Sequence, residues 1–202
     1  MVPMIDANLY HTARLRLRDL QFGDESAVLS LLGDFRVVQY MLFPLFTPEQ
    51  ADEFVVQAQR MRMTEPLTGF VLAITLANAS QSVIGLVGLV INSRHQAGEA
   101  WYLLAPTYWG QGYVTVAVGA LVAVGFSELG MHRIWATCLP ENVASIRVLE
   151  KLGFRREGHQ RRNLPIQGQW YDSYLSALLQ EEWSQATQPS NPLADEPHPA
   201  AT

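Results

Sequence analysis

Residues 101–115 read Trp101-Tyr102-Leu103-Leu104-Ala105-Pro106-Thr107-Tyr108-Trp109-Gly110-Gln111-Gly112-Tyr113-Val114-Thr115, and the order of residue types in this stretch decides the fold. Aromatic and branched residues make a strand, Pro106 ends it, two glycines make a turn, and an apolar run follows. A strand that enters a helix through a glycine turn gathers backbone N–H groups at the positive end of the helix dipole, where an anion can sit. The turn lacks the third glycine of a dinucleotide fingerprint, and no Gly-Lys-Ser or Gly-Lys-Thr follows to make a P-loop. A glycine pair at a helix start also serves as a packing device, so the turn alone does not name a ligand.

Outward from this turn the chain alternates strands and helices. Within residues 112–129, Val114, Val116 and Val118 recur with strand period, but the length of the run and Gly130 as a stop favour a helix. Residues 133–139 form a strand. Asn142 caps a helix that ends in Lys151-Leu152-Gly153-Phe154, where Gly153 supplies a left-handed position and Phe154 the apolar contact of a Schellman ending. Residues 155–161 and 171–179 are the last strands.

On the amino-terminal side, residues 99–104 are a strand. Residues 70–76 and 82–91 form an antiparallel hairpin around the turn-prone Ala77-Asn78-Ala79-Ser80. Arg14-Leu15-Arg16-Leu17-Arg18 alternates with period two and is the first strand. Asp24 caps a helix to about Leu32, and Thr47 with Pro48 opens another that ends near Met63. The expected class is α+β, an α/β sheet protein, in one domain over residues 1–183. Residues 184–202 hold four prolines, Asp195, Glu196 and no Lys or Arg, the composition of a disordered tail.

Composition excludes several functions. The chain has 202 residues, 49% hydrophobic and 16% charged, which is ordinary globular chemistry. A net charge of -5 provides no basic stripe, so nucleic acid is not an expected partner. Cys138 is the only cysteine, which rules out an internal disulfide and a CxxC metal site, and no metal is expected. Cys138 reads as a small buried hydrophobe, with a catalytic thiol as the alternative. Neither a secretory signal nor a membrane span is visible, and a cytoplasmic location follows as the expectation.

Taken together, Trp109-Gly110-Gln111-Gly112-Tyr113, Pro140-Glu141-Asn142 and the run from Ser145 to Phe154 resemble the GNAT acetyltransferases. Within that family they resemble the Rim-like branch of ribosomal-protein N-terminal acetyltransferases. The opening Thr12-Ala13-Arg14-Leu15-Arg16-Leu17-Arg18 and the late Tyr171-Asp172 and Glu182-Trp183 are similar to it as well.

The resemblance implies a mixed, mostly antiparallel sheet of six to seven strands with about four flanking helices. The sheet would be splayed between its fourth and fifth strands, residues 99–104 and 133–139, with acetyl-CoA lodged in the opening. Backbone groups of Leu103 and Leu104 would pair with pantetheine, and the amides of Gln111, Gly112, Tyr113, Val114 and Thr115 would cradle the diphosphate. Asn142 and Arg147 would complete the cofactor site. Val114 departs from the family, which has Gly or Ala there, and its branched side chain could crowd the phosphate.

The implied reaction is direct acetyl transfer from acetyl-CoA to a primary amine. Many relatives protonate the leaving thiolate with a tyrosine whose matching position here is Leu149, so Ser145 is the candidate acid, with an exposed first-turn serine as the alternative. Glu99 is the candidate base, placed by strand alternation on the face of Trp101 and Leu103, or else a solvated strand-end carboxylate. Asp172 is a second candidate base, or a group that pins Trp170 or Tyr171. A backbone N–H near Leu103 would stabilise the oxyanion.

Acceptor choice would fall to residues 35–64 and a loop over residues 160–169. Phe43-Pro44-Leu45-Phe46 either walls the acceptor groove or packs helices on the sheet. A protein amino terminus, a small-molecule amine such as a polyamine, amino sugar or antibiotic, and a silent CoA-binding domain all remain open. No Ser-His-Asp set or GxSxG elbow supports a hydrolase. A homodimer is common among such proteins.

Overall fold

The computed structural model describes residues 10–41, 43–78, 82–166 and 168–187. Its strands are β1 (Tyr10–His11), β2 (Leu15–Asp19), β3 (Gly69–Leu76), β4 (Val83–Asn92), β5 (Ala97–Leu104), β6 (Arg133–Cys138), β7 (Arg155–Ile166) and β8 (Gln169–Leu179). The helices are α1 (Glu25–Leu32), α2 (Phe35–Val38), α3 (Pro48–Arg62), α4 (Tyr113–Ser127), α5 (Val143–Lys151) and α6 (Gln180–Thr187). All strands join one sheet in the order β1-β2-β3-β4-β5-β6-β8-β7. Apart from the two-residue β1 this is a mixed sheet of seven strands, within the six to seven expected, with six helices among the described residues where about four were expected; the fourth and fifth strands of the sequence reading are β5 and β6.

Neighbouring strands are antiparallel except β5 and β6, which are parallel and pair only at Ala97↔Arg133, Gly98↔Ile134 and Glu99↔Trp135. Beyond Glu99 the two strands have no paired residues, while β5 stays paired to β4 as far as Leu104. The sheet therefore opens into a V with Glu99 at its root.

Two cores fill the two faces. On one, α1 and α3 pack Val28, Leu32, Val55 and Ala58 against Val71, Ala73, Leu86 and Leu103. On the other, α4 lays Ala117, Val118, Leu121 and Val122 over Leu72, Val87, Leu104 and Ile134. Seven residues of α4 are buried, which explains its ambiguous pattern: a helix enclosed on most sides has no wet stripe to reveal its period. Burial of each large apolar side chain there stabilises the fold by about 1.5–3 kcal/mol. At Gly119 a Cβ would lie 3.3 Å from Leu152 Cδ2, so the glycine lets α5 approach α4 closely.

The helix ends follow local chemistry, with one exception. Thr47 and Gln50 form a reciprocal capping box at α3. At the end of α5, Phe154 N–H donates to Leu149 C=O at 3.0 Å and Gly153 N–H to Glu150 C=O at 3.1 Å, with Gly153 at φ 82°, which is the Schellman pattern. Asp24, expected to cap α1, makes no side-chain cap. Its carboxylate instead accepts from Arg18 at 2.7 and 2.8 Å and from Gln21 N–H at 2.8 Å, because a buried guanidinium needs its counter-charge more than an exposed helix start needs a cap.

Two other expectations change, and one falls partly outside the described residues. Residues 160–166 and 169 of the presumed loop belong to strands β7 and β8, with a register irregularity between Gln160 and Leu164. Part of the β3–β4 turn, residues 79–81, lies outside the described residues. Helix α6 runs to Thr187 and packs Trp183 against Phe126, so residues 184–187 are helical, and residues 188–202 lie outside the description. Among the described residues no helix is long and apolar enough to cross a membrane.

Candidate active site

The opening of the sheet becomes a cleft of about 630 Å³. Tyr102, Leu103 and Leu104 line it from β5, residues 108–110 and 112–115 from the turn and the start of α4, residues 141–145, 147, 148 and 151 from α5 and its approach, and residues 36, 37 and 39–41 from α2 and the segment after it. In an antiparallel ladder, backbone groups point alternately to either side. Ala105 N–H donates to Ile84 C=O at 2.8 Å, so the backbone groups of Leu103 also turn toward β4, and those of Tyr102 and Leu104 turn toward the gap. The Leu104 carbonyl accepts the Trp109 indole N–H at 2.7 Å, which ties the turn to the strand. Leu103 lines the cleft, yet its main chain belongs to the ladder; the strand-like edge is offered by its neighbours.

The turn itself is a left-handed pair, Gly110 at φ 73° and Gly112 at φ 78°, a region L side chains rarely enter. A Cβ on Gly110 would meet nothing within 4 Å, and one on Gly112 only Arg14 Nη1 at 3.8 Å, so the space above both is open. The first intrahelical bond is Val116 N–H to Gly112 C=O, 3.2 Å, which leaves the amides of Tyr113, Val114 and Thr115 free of helical partners at the cleft wall. These donors and this open space suit a diphosphate. Val114 is half-buried and packs against the α4 core, which gives its branched side chain an apolar contact. The Arg14 guanidinium stacks 4.3 Å from the Tyr113 ring centre, a cation at this turn from a residue 99 positions earlier.

Across the gap, Asn142 caps α5 by accepting from Ser145 N–H at 3.1 Å, as its sequence context predicted. Ser145 Oγ lies 2.7 Å from the Tyr102 hydroxyl. Arg147 is exposed on the same wall, and Gln111 is exposed with its side chain bonded to Thr107 C=O at 3.2 Å. Cys138 is buried beside them, and burial pushes its thiol up, opposed by the Ser145 hydroxyl and Arg156, so it stays protonated as a packing residue.

Glu99 is not brought to the same wall. By the pleat it faces the α1–α3 side with Trp101 and Leu103, while Tyr102 and Ser145 face the α4–α5 side, and Glu99 does not line the cleft. Burial raises its carboxyl above the ordinary range, against a hydrogen bond from Thr137 on β6. It therefore lies on the opposite face of β5 from Tyr102, whose hydroxyl meets Ser145. Asp172 does not fit the second base role. It accepts from Arg162 N–H at 2.9 Å and bonds His159 at 2.6 Å, and those contacts hold its carboxyl below the ordinary range. Nor does it pin Tyr171, whose hydroxyl bonds Gln169.

Phe46 sits edge-on to Phe54 at 5.9 Å and joins the helix-side core, whereas Phe43 and Leu45 are exposed, so this segment divides between packing and surface. The sequence reading assigned no role to the side chains of Tyr102 and Arg14, whereas α2 falls within residues 35–64, the segment expected to choose the acceptor. Tyr102 alternates with Leu104 along β5, a signal that it shares the α4 side. Nothing local points to Arg14, which reaches the turn by stacking on Tyr113 through the tertiary fold. Among the described residues no three His, Cys, Asp or Glu side chains gather as a metal site.

Comparison with known proteins bears on this cleft. A family model described as an acetyltransferase (GNAT) domain matches residues 14–155. The uncharacterized N-acetyltransferase YnaD of Bacillus subtilis is 33% identical over 86% of the chain and 98% of that protein. The spermidine N(1)-acetyltransferase of Vibrio cholerae is 26% identical over 85% of the chain and 96% of its own length. The ribosomal protein uS5-alanine N-acetyltransferase of Escherichia coli is 30% identical over 52% of the chain and 55% of its own length. A GNAT acetyltransferase structure from Bacillus anthracis superposes with a TM-score of 0.76 at 31% identity, covering 85% of the chain and 98% of that structure.

Proposed function

Because the chain belongs to the GNAT acetyltransferase family and is an acyltransferase of that type, we propose that it moves the acetyl group of acetyl-CoA directly onto the α-amine of a peptide or protein within one ternary complex. The observation that carries this reading is the unpaired edge of β5 beyond Glu99, set beside a glycine turn with three helix-start amides.

Pantetheine would extend the sheet along Tyr102 and Leu104. The diphosphate would lie on the amides of residues 111–115, and Asn142 and Arg147 would contact the remainder of the CoA. The thioester then spans the V. The acceptor amine enters from the face of Glu99 and loses its proton to that carboxylate or to a water it orients. Glu99 suits the task because burial raises it toward the working pH, where a base is most effective. The C–N bond forms as the C–S bond breaks, an amide facing the gap from β5 stabilises the oxyanion, and the sulfur leaves beside Ser145.

An α-amine with pKa near 7.7–8.0 asks less of this base than a lysine near 10.4. The likeness to the ribosomal-protein enzyme supports the same choice. Arg36, Arg147 and Lys151 against the single acid Glu141, among the described cleft residues, suit phosphates better than a polycation. The spermidine enzyme keeps a polyamine as the second reading. Calorimetry with acetyl-CoA, then thiol release with an alanine-starting peptide and with spermidine, tests all three. Faster release with spermidine would replace the peptide reading, and binding with no release on any amine would favour a silent domain.

A further inference from the structure

The family tyrosine implied by resemblance is Leu149 here, and Leu149 is 2% exposed within the α4-side core and does not line the cleft. A different tyrosine reaches the spot from the sheet. Tyr102 of β5 places its hydroxyl 2.7 Å from Ser145 Oγ and 3.3 Å from the Ser145 carbonyl, and both residues line the cleft. The Ser145 amide is already committed to Asn142, so the serine is fixed at its backbone by the cap and at its hydroxyl by the phenol.

Two arrangements of the hydroxyl protons satisfy these distances. In one, Ser145 donates to the phenol and the phenol donates to the Ser145 carbonyl, and both protons stay inside the protein. In the other, the phenol donates to Oγ and the serine proton is free to turn into the cleft. Burial raises the Tyr102 phenol far above its ordinary range, opposed by the Ser145 hydroxyl and reinforced by Cys138, so it remains a protonated donor at any working pH. An anion in the gap selects the second arrangement.

We propose that Tyr102 is a positioning residue for thioester cleavage, whose phenol donates to Ser145 Oγ and turns the serine hydroxyl toward the departing sulfur of CoA. The inference rests on the acetyl-CoA reading of the cleft. Sulfur leaves with the C–S electron pair as a thiolate, accepts the Ser145 hydrogen bond, and takes its proton from solvent. The proton lost by the amine goes separately to Glu99 or its water. Tyr102 itself gives up no proton.

The test needs no acceptor. Affinities for CoA and for its desulfo analogue are measured by calorimetry across a pH range that brackets the ordinary thiol value of about 8.5. In the native protein the preference for CoA over the analogue should grow as the thiol ionises. Tyr102→Phe should cut that gain about tenfold, the worth of one hydrogen bond to a charged system, with desulfo-CoA affinity unchanged. Ser145→Ala should remove the gain, and the double variant should match Ser145→Ala, since Tyr102 acts only through the serine. The proposal is overturned by a native gain in Tyr102→Phe, by an additive double variant, or by loss of desulfo-CoA binding in Tyr102→Phe, which would make the tyrosine structural. A native protein that binds neither ligand would instead overturn the acetyl-CoA reading, and this inference with it.

Discussion

Two substitutions at Gly112 separate what the turn does for the fold from what it does for a ligand. Gly112 sits at φ 78°, and the space its side chain would enter is empty except for Arg14 Nη1 at 3.8 Å. Gly112→Ala should therefore meet only the left-handed backbone penalty, about 1–2 kcal/mol, a fall of about 2–4 °C in Tm per kcal/mol for a domain of this size. Gly112→Trp bears the same backbone cost but adds an indole at the cleft wall, next in the chain to the amides of Tyr113, Val114 and Thr115, where it should crowd a ligand held by them. Hydrogen bonds to charged groups contribute about 1.5–3 kcal/mol each, so losing two of them should weaken CoA binding by about 10²–10⁴. Thermal melts confirm that both variants fold, and calorimetry with CoA reads the difference. Equal, native-like CoA affinity in both folded variants would show that the turn is only structural, and the cleft assignment would fall.

Ser145→Ala should lower kcat by about tenfold or more while the KM for acetyl-CoA stays close to native, and an unaltered kcat would assign thiolate stabilisation to water. Glu99→Gln should flatten the acidic limb of the pH–rate profile, because the base works only when ionised and the raised carboxyl places that limb above the ordinary glutamate range; a limb that persists in the variant would exclude Glu99. For stability the sign is opposite. A raised folded pKa favours the protonated fold, so the Glu99 contribution is present below the unfolded value and is lost as pH rises through the folded one; urea titrations of native and Glu99→Gln protein at acidic and neutral pH should show this relative loss. Asp24→Ala leaves Arg18, 8% exposed, without its bidentate carboxylate and should cost about 3–5 kcal/mol, measured by urea unfolding, with a cost under 1 kcal/mol refuting the pair's importance. Burial alone would raise Asp24, yet the Arg18 and Gln21 hydrogen bonds and the Arg18 charge hold it below its ordinary value, so its stabilisation is present above that value and fades as acid protonates it.

Local chemistry was legible before any coordinates. The Thr47 capping box, the Asn142 cap, the Schellman turn at Gly153 and the glycine turn before α4 each depend on residues within five positions of one another, so a linear reading contains both partners. The hairpin of β3 and β4 followed from two β-rich runs around turn-prone residues, and helix α4 from its length and the Gly130 stop rather than from its period. Where the local rule failed, at Asp24, the competing partner Arg18 still lay close in sequence, but only burial decided that the ion pair would prevail over the cap.

What the tertiary structure alone decided is the meeting of distant groups. No pattern in the chain places Tyr102 against Ser145, 43 residues on, or Arg14 over Tyr113, or α2 on the rim of the cleft. The resemblance implied that β5 and β6 splay, but that they part just after Glu99 is decided by the fold. The physical reason is that a side chain's direction follows from its own strand or helix, whereas its neighbour across a sheet opening depends on how two helices and a parallel strand pair pack around it. The residue types that allow the chemistry are a property of the sequence; their distances from one another belong to the fold.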